Sequence, residues 1–345
     1  MKKLISALLI LAMLLPVCAF AEEVVNVFNW EDYIDESVIQ QFQQETGIKV
    51  NYMRFTTNED MMVQVEANPG AFDLCFPSEY IVERMLNKGM LAEINYDNIP
   101  NAKYILENLL DPSYDAGNKH SVPYMWGTVG ILYNTKLVDD PVDSWSIFWN
   151  PKYQSNVFML DSYRDSMGIT LKYLGHSMNT RDILALEMTK EKLIEQKQLG
   201  IVKAYQVDET KDKMVAGEAA MALVWSGDAQ YAIDLNPDLA YSIPNEGSNV
   251  WVDCMVIPKN AKNKENAEKF IDFLCRPDIA QKNCEYIWYS SPNSGAIELM
   301  GEDYINNTTM NPPAEKLAIC EYFSDIDDDF RPIYEILWLE VKSAK

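Results

Sequence analysis

Apolar and polar positions follow two patterns along this chain, one typical of β-strands and the other of amphipathic helices. In the first third, short β-rich runs alternate with stretches whose apolar residues recur at helical spacing. The predicted strands are 24–28, 48–55 and 72–76, and the predicted helices are 34–45, 59–67 and 80–88. This βαβαβα order predicts a parallel sheet with helices on both faces.

A second α/β series fills the rest of the chain. Strands are predicted at 129–133, 157–160, 202–205, 219–225, 241–244 and 251–257. Helical segments are predicted at 145–149, 167–174, 184–199, 209–216, 264–274, 279–286 and 332–341. No internal repeat or low-complexity linker separates the two series. We therefore expect an α/β protein of two lobes, with the chain crossing between them on strands.

Three tryptophans, each followed closely by an aspartate, stand at the termini of predicted strands. The pairs are Trp30 with Asp32, Trp225 with Asp228, and Trp251 with Asp253. Because ligands bind beyond the carboxyl ends of strands in open parallel sheets, these pairs are expected to converge on one cleft. An indole ring covers methylene groups and attracts a cation, while a carboxylate neutralises an ammonium. The pattern therefore favours a small organic cation as ligand.

The first 21 residues have the pattern of an export signal. Lys2 and Lys3 precede an apolar stretch at 4–17, and a small-x-small cleavage sequence follows at 19–21. Lipid attachment at Cys18 is less favoured, because the bulky Val17 precedes it. We expect a periplasmic or otherwise extracytoplasmic protein.

Charge and motifs exclude several classes of function. A net charge of −23 disfavours nucleic acid, whose phosphates need lysine and arginine. The five cysteines after residue 21 are odd in number and lack a CxxC pair, so free thiols are expected. His120 and His176 lack metal-ligand spacing, and the acidic run 325–329 lacks the glycine of a calcium loop. No nucleophile or phosphate-loop motif is present, so no cofactor, metal or catalytic residue is predicted.

Three motifs in this order carry a resemblance to a known family: NWEDY at 29–33, PYMWG at 123–127 and WVD at 251–253. With them the chain resembles the spermidine/putrescine-binding proteins of ABC importers. The resemblance implies a class II periplasmic-binding fold, an α/β architecture whose two lobes close like a hinge on the ligand. It implies lobe 1 at 22–127 plus 252–300 and lobe 2 at 128–251 plus 301–345. It also implies no catalysis and a membrane permease as partner.

The resemblance further implies which residues contact the ligand. They provide aromatic walls, hydroxyl groups and carboxylates, and they are Trp30, Asp32, Tyr33, Ser78, Tyr80, Asp165, Trp225, Asp228, Trp251, Asp253 and Tyr289. Two positions depart from spermidine binders, since Ser162 replaces an acid and Phe323 replaces a glutamine.

Alternative roles stay open for several of these residues. Ser78 and Asp228 are each also suited to cap a helix N-terminus. Trp225 and Trp251 are also suited to the core.

The expected function is therefore capture of putrescine or spermidine by a monomer that delivers it to an ABC permease. One alternative is a binding protein for another small cationic solute. A more distant one is a secreted glycoside hydrolase that uses paired carboxylates.

Overall fold

The computed structural model describes residues 23–31 and 33–344. The expected export signal, Cys18 and Asp32 lie outside the described residues. Within the described part of the chain, no helix is both long enough and apolar enough to cross a membrane.

Nine strands of the described residues form the sheet structure. They are β1 (Val24–Trp30), β2 (Lys49–Phe55), β3 (Leu74–Cys75), β4 (Ser121–Asn134), β5 (Val157–Leu160), β6 (Val202–Gln206), β7 (Met221–Trp225), β8 (Leu239–Ser242) and β9 (Val250–Val256). Their order is β2-β1-β3-β9-β4-β7-β5-β6, and β8 also pairs with β4. Strand β1 is parallel to both β2 and β3, as the alternating pattern predicted.

Twelve α-helices in the described residues pack around these strands. They are α1 (Glu36–Thr46), α2 (Asn58–Ala67), α3 (Glu79–Asn87), α4 (Tyr163–Tyr173), α5 (Ile183–Gln198), α6 (Glu209–Val215), α7 (Ser226–Leu235), α8 (Lys264–Leu274), α9 (Pro277–Ile287), α10 (Ser294–Ile305), α11 (Ala314–Leu317) and α12 (Arg331–Ser343). Helices α7, α10 and α11 were not predicted from the sequence.

Strand β4 joins two groups of strands. Its first part, from Ser121 to Thr128, pairs antiparallel with β9. From Val129 onward it pairs with β7 and β8 instead. The chain thus passes from one group of strands to the other within a single strand. This change of partner falls beside the predicted lobe boundary at 127/128, while the division into lobes itself stays a prediction.

The predicted strand 129–133 is too short, because it omits the first part of β4. The strand begins at Ser121, and its first part contains Pro123 and Gly127. Both residues count against a strand in a sequence pattern, because proline lacks the N–H that a ladder needs. Here the register with β9 shifts between Pro123 and Met125, and this irregularity accommodates the proline.

A C-terminal segment, residues 319–328, ties helix α3 to helix α4. The Nε atom of Arg84 in α3 donates to Oδ1 of Asp325 at 2.7 Å, and both side chains are largely buried. From α4, Arg164 donates through both terminal nitrogens to the carbonyl oxygen of Ser324. Glu79, which is fully buried, accepts the backbone N–H of Phe323 at 3.2 Å. The segment therefore fixes the position of α3, at whose N-terminus the site begins.

Candidate functional site

Asp253 lies in β9 and forms the centre of a buried polar cluster. Its side chain is 6 % exposed. The hydroxyl of Tyr33 donates to Oδ2 at 2.6 Å, and the hydroxyl of Ser78 donates to Oδ1 at 2.6 Å. Burial raises the pKa of Asp253 to about 6, although both hydrogen bonds lower it. Because no ion pair of residues 23–31 and 33–344 includes Asp253, its charge is compensated by neutral donors alone.

The Ser78 hydroxyl hydrogen-bonds to Asp253 and does not cap the helix that follows it. It occupies the N-cap position of α3, but its side chain makes no capping hydrogen bond. Instead, Nδ2 of Asn58 donates to the Ser78 hydroxyl at 3.0 Å, and Oδ1 of Asn58 accepts the Ser78 N–H at 3.2 Å. The capping alternative for Ser78 is therefore wrong. The same Asn58 amide donates to the Tyr80 hydroxyl at 3.1 Å, so it links both predicted site residues.

Asn58 was not predicted from the sequence. It is the first residue of α2 and is only 5 % exposed. An asparagine just after the carboxyl end of a strand was the available signal, but the pattern placed the helix start one residue later.

Three aromatic side chains surround the Asp253 cluster. The rings of Tyr33 and Tyr289 meet edge to face with centroids 5.9 Å apart, and those of Trp251 and Tyr289 do so at 4.9 Å. Trp251 is 9 % exposed, and its indole N–H is buried without a hydrogen-bond partner among the described residues. Trp251 thus packs as a core aromatic would, and its buried indole N–H is left as an unused donor among the described residues.

Two glycines allow these rings to approach the backbone closely. A Cβ atom at Gly227 would lie 2.1 Å from Cδ1 of Tyr289. At Gly127, a Cβ atom would lie 2.6 Å from Cζ2 of Trp251. Neither contact is sterically possible, so glycine at both positions is what lets Tyr289 and Trp251 lie against α7 and β4.

A second carboxylate, Asp165, lies in the first turn of α4 and is 6 % exposed. The Ser162 hydroxyl donates to its Oδ2 at 2.6 Å. Burial raises the pKa of Asp165, while hydrogen bonds from Ser162 and from the Trp225 side chain and the charge of Arg164 lower it. Trp225, half-buried at the end of β7, therefore lies close to the predicted acid.

Ser162 explains one departure from spermidine binders. It is the N-cap residue of α4, since its hydroxyl accepts the Asp165 N–H, and it also orients the Asp165 carboxylate. The position therefore supplies a donor to an acid rather than a further charge.

Phe323, the second departure, is 6 % exposed and lies under a guanidinium group. The Arg164 guanidinium carbon is 4.2 Å from the centre of the Phe323 ring and 5.5 Å from that of the Tyr80 ring. Arg164 thus stacks between these side chains, a role the sequence did not reveal.

Asp228 lies in the first turn of α7, whose cap position is held by Trp225. The capping alternative for Asp228 is therefore wrong. Its Oδ1 is 3.3 Å from Nζ of Lys211, a residue of α6 that was not among the predictions. Burial raises the pKa of Asp228, and Lys211 lowers it.

The structure thus brings the predicted residues into linked groups. Tyr33, Ser78, Trp251, Asp253 and Tyr289 form the central cluster, which Asn58 extends to Tyr80. Asp165 and Trp225 form a second group, and Asp228 approaches Tyr289 through Gly227.

Trp30, a predicted site residue, makes its contacts with residues other than Asp253. Its indole N–H donates to the Phe76 carbonyl at 2.8 Å, and its ring tilts against that of Phe55 with centroids 4.6 Å apart.

A surface depression of about 510 Å³ lies elsewhere, between α1 and β2. It is lined by Glu36, Ile39, Gln40, Tyr52 and Arg54, and Arg54 pairs with Glu36 at 3.0 Å. It lacks the buried acid that an ammonium ligand requires. Among the described residues, no group of histidine, cysteine, aspartate and glutamate side chains is arranged to hold a metal ion.

The model of the bacterial extracellular solute-binding protein family matches residues 37–312. This chain belongs to that family. Among similar solute-binding proteins, the spermidine/putrescine-binding periplasmic protein of Salmonella typhimurium is 34 % identical over 320 residues, covering 92 % of this chain and 91 % of the relative. The putrescine-binding periplasmic protein PotF of Escherichia coli is 29 % identical over 346 residues, covering 95 % and 93 %.

Solved structures of solute-binding proteins show the same fold. The spermidine/putrescine ABC transporter substrate-binding protein PotD of Streptococcus pneumoniae superposes with a TM-score of 0.83 at 36 % identity, covering 93 % of this chain and 98 % of that one. The expected α/β fold of class II periplasmic-binding proteins is thereby confirmed. These relatives are substrate-binding components of transporters rather than enzymes.

Proposed function

We propose that this chain is the extracytoplasmic solute-binding protein of an ABC importer and that it captures a polyamine, putrescine or spermidine. The observation that carries the proposal is Asp253. It is a buried carboxylate whose hydrogen bonds from the described residues come from hydroxyl groups, and it belongs to one cluster with the rings of Tyr33, Tyr289 and Trp251.

The chemistry of this cluster fits an alkyl ammonium. A carboxylate removed from water loses much of its solvation free energy, and two hydroxyl donors replace only part of it. A ligand ammonium would supply the missing positive charge and would form a charge-assisted hydrogen bond. The faces of the aromatic rings would cover the adjoining methylene groups.

A second acid would receive the other end of a diamine. Asp165 is buried beside Trp225 and is oriented by a hydroxyl group, as Asp253 is. In this proposal Asp253 belongs to lobe 1, which comprises residues 22–127 and 252–300, and it lies just after the crossover at 251/252. Asp165 belongs to lobe 2 at 128–251 plus 301–345. A ligand held by both carboxylates would link the lobes and favour their closure.

Export, partner and assembly complete the proposal. The protein acts outside the cytoplasm, as its named periplasmic relatives do. It acts as a monomer and passes its ligand to a membrane permease without any cofactor.

Isothermal titration calorimetry of the protein without its first 21 residues tests the ligand class. Putrescine, spermidine and spermine are the probes, and choline and arginine represent other organic cations. We expect saturable binding of at least one polyamine, together with an increase in the melting temperature, because a ligand that binds only the folded state stabilises it. Binding of arginine or choline without polyamine binding would favour another cationic solute. No binding of any polyamine at millimolar concentration would overturn the proposal.

A further inference from the structure

Asp228 differs from the other two described acids of the site because it has a cation of the chain itself as partner. Nζ of Lys211 lies 3.3 Å from its Oδ1, and the two side chains are 33 % and 15 % exposed. Asp253 and Asp165 accept hydrogen bonds from hydroxyl groups instead. Within residues 23–31 and 33–344, neither of them takes part in an ion pair.

Several groups hold the Lys211 ammonium in place. It lies 5.6 Å from the centre of the Tyr231 ring, and the carboxylates of Asp208 and Asp212 act on it together with Asp228. Burial lowers the pKa of Lys211, but the combined effect of these acids raises it. Lys211 is therefore charged at neutral pH.

This ion pair lies beside Tyr289, a residue of the central cluster. Asp228 follows Gly227, whose backbone is in contact with the Tyr289 ring. Burial is the main reason that the pKa of Tyr289 is raised, and the negative charge of Asp228 is the next. An ammonium that reached Asp228 from the cluster would meet Lys211 there.

We propose that Lys211 is an internal ammonium group that competes with a ligand amine for Asp228 and so determines which polyamines bind tightly. This inference rests on the proposed polyamine function. Two ammonium groups at one carboxylate repel each other, so a ligand amine either displaces Lys211 or leaves Asp228 to it. A diamine held by Asp253 and Asp165 does not need Asp228. A triamine gains little from its third ammonium while Lys211 is present.

The test is Lys211→Met, which keeps the length of the side chain and removes its charge. Titration calorimetry at pH 7.5 gives the dissociation constants for putrescine and spermidine. We expect spermidine affinity to rise about tenfold more than putrescine affinity, as one newly available charge-assisted contact would give. Lys213→Met is the matched control. Lys213 lies on the same helix and donates to Gln206 at 2.6 Å, so its removal should leave the affinity ratio unchanged within about twofold.

The double variant Lys211→Met/Asp228→Asn shows whether the gain acts through Asp228. We expect it to return the affinity ratio to the wild-type value. A ratio that Lys211→Met leaves unchanged, or a gain that persists without the Asp228 carboxylate, would overturn the inference while polyamine binding by the wild-type protein upheld the proposed function. If neither the wild-type protein nor Lys211→Met binds any polyamine, the proposed function fails, and this inference fails with it.

Discussion

Replacing Asp253 by asparagine should weaken ligand binding and stabilise the ligand-free protein at the same time. The amide is nearly isosteric with the carboxylate, and the hydroxyls of Tyr33 and Ser78 can rotate to suit it. The substitution therefore removes the charge and leaves the packing in place. Opposite effects on binding and stability are expected of a carboxylate that has neutral donors but no cationic partner until a ligand binds.

The size of the stability gain follows from the pKa. Burial moves the pKa of Asp253 from 3.8 to about 6. At about 1.4 kcal/mol per pH unit, this shift corresponds to a destabilisation of roughly 3 kcal/mol in the ionised state. Rearranged hydrogen bonds at the amide cost about 1 kcal/mol. We expect a net gain of about 1 to 3 kcal/mol in the free energy of unfolding at pH 7.5.

The sign of the pH dependence is set by the raised pKa. Between about pH 4 and pH 6 the folded wild-type protein holds a proton on Asp253 that the unfolded chain has released. The contribution of this residue to stability therefore falls as pH rises through that window. Near pH 4 the stability of Asp253→Asn should lie at or up to about 1 kcal/mol below that of the wild type, because of the hydrogen-bond cost of the amide, and above pH 6 it should exceed the wild type. Glu79, whose pKa burial raises to about 8, also titrates, and the charge of Asp253 contributes to that shift, so the two proteins are compared at the same pH values.

Urea denaturation at pH 4, 6 and 7.5 gives the stabilities, and calorimetry gives the affinities. Loss of a buried ammonium–carboxylate contact should cost about 2 to 5 kcal/mol of binding free energy, or roughly 30- to 5,000-fold in Kd. The wild-type affinity should itself fall about tenfold per pH unit below pH 6. Asp303→Asn, at an exposed position of α10, is the control and should change stability by less than about 0.5 kcal/mol. Wild-type affinity in Asp253→Asn, or a lower stability than wild type at pH 7.5, would refute the reasoning.

Two other substitutions test parts of the structure that support the site. Asn58→Ala removes the amide that orients the Ser78 hydroxyl and should raise Kd about tenfold, a cost of one to two hydrogen bonds; Asn68→Ala, at an exposed helix end, should leave Kd unchanged in the same titration. Arg84→Met breaks the buried pair with Asp325 and should lower the free energy of unfolding by about 3 to 5 kcal/mol in urea denaturation. Loss of the exposed Arg54 pair by Arg54→Met should cost less than about 1 kcal/mol, and equal losses in the two variants would contradict the role of burial.

The sequence predicted local structure well where apolar spacing is regular. The strand at 157–160 and the helix at 264–274 have the predicted bounds. Helix α7 was missed because it follows β7 without a single intervening residue, so no turn signal marks its start at Ser226. Helix α10 was missed because it contains Gly301, which has a φ of 80° and interrupts the helical pattern.

The partners of the site residues were less accessible to sequence reasoning. The Ser78–Asp253 hydrogen bond joins residues 175 positions apart, and periodicity carries no information at that range. The sequence placed Asp253 at the expected cleft, and the family resemblance placed Ser78 there, but neither assigned a donor to either oxygen of Asp253. In the same way, Lys211 was missed because its pairing with Asp228 depends on how α6 packs beside α7.

Three aspartates of the proposed site therefore have different electrostatic roles. Asp253 has hydroxyl donors, Asp165 has a hydroxyl, an indole and a nearby guanidinium, and Asp228 has an ammonium in direct contact. The less positive charge the chain supplies to a buried carboxylate, the more a ligand cation can contribute there, because the desolvation cost has already been incurred during folding. By this criterion Asp253 gains most from a bound amine and Asp228 least. If the proposed polyamine function holds, selectivity among polyamines would depend on which carboxylates the protein has left without a cation, more than on the number of carboxylates in the site.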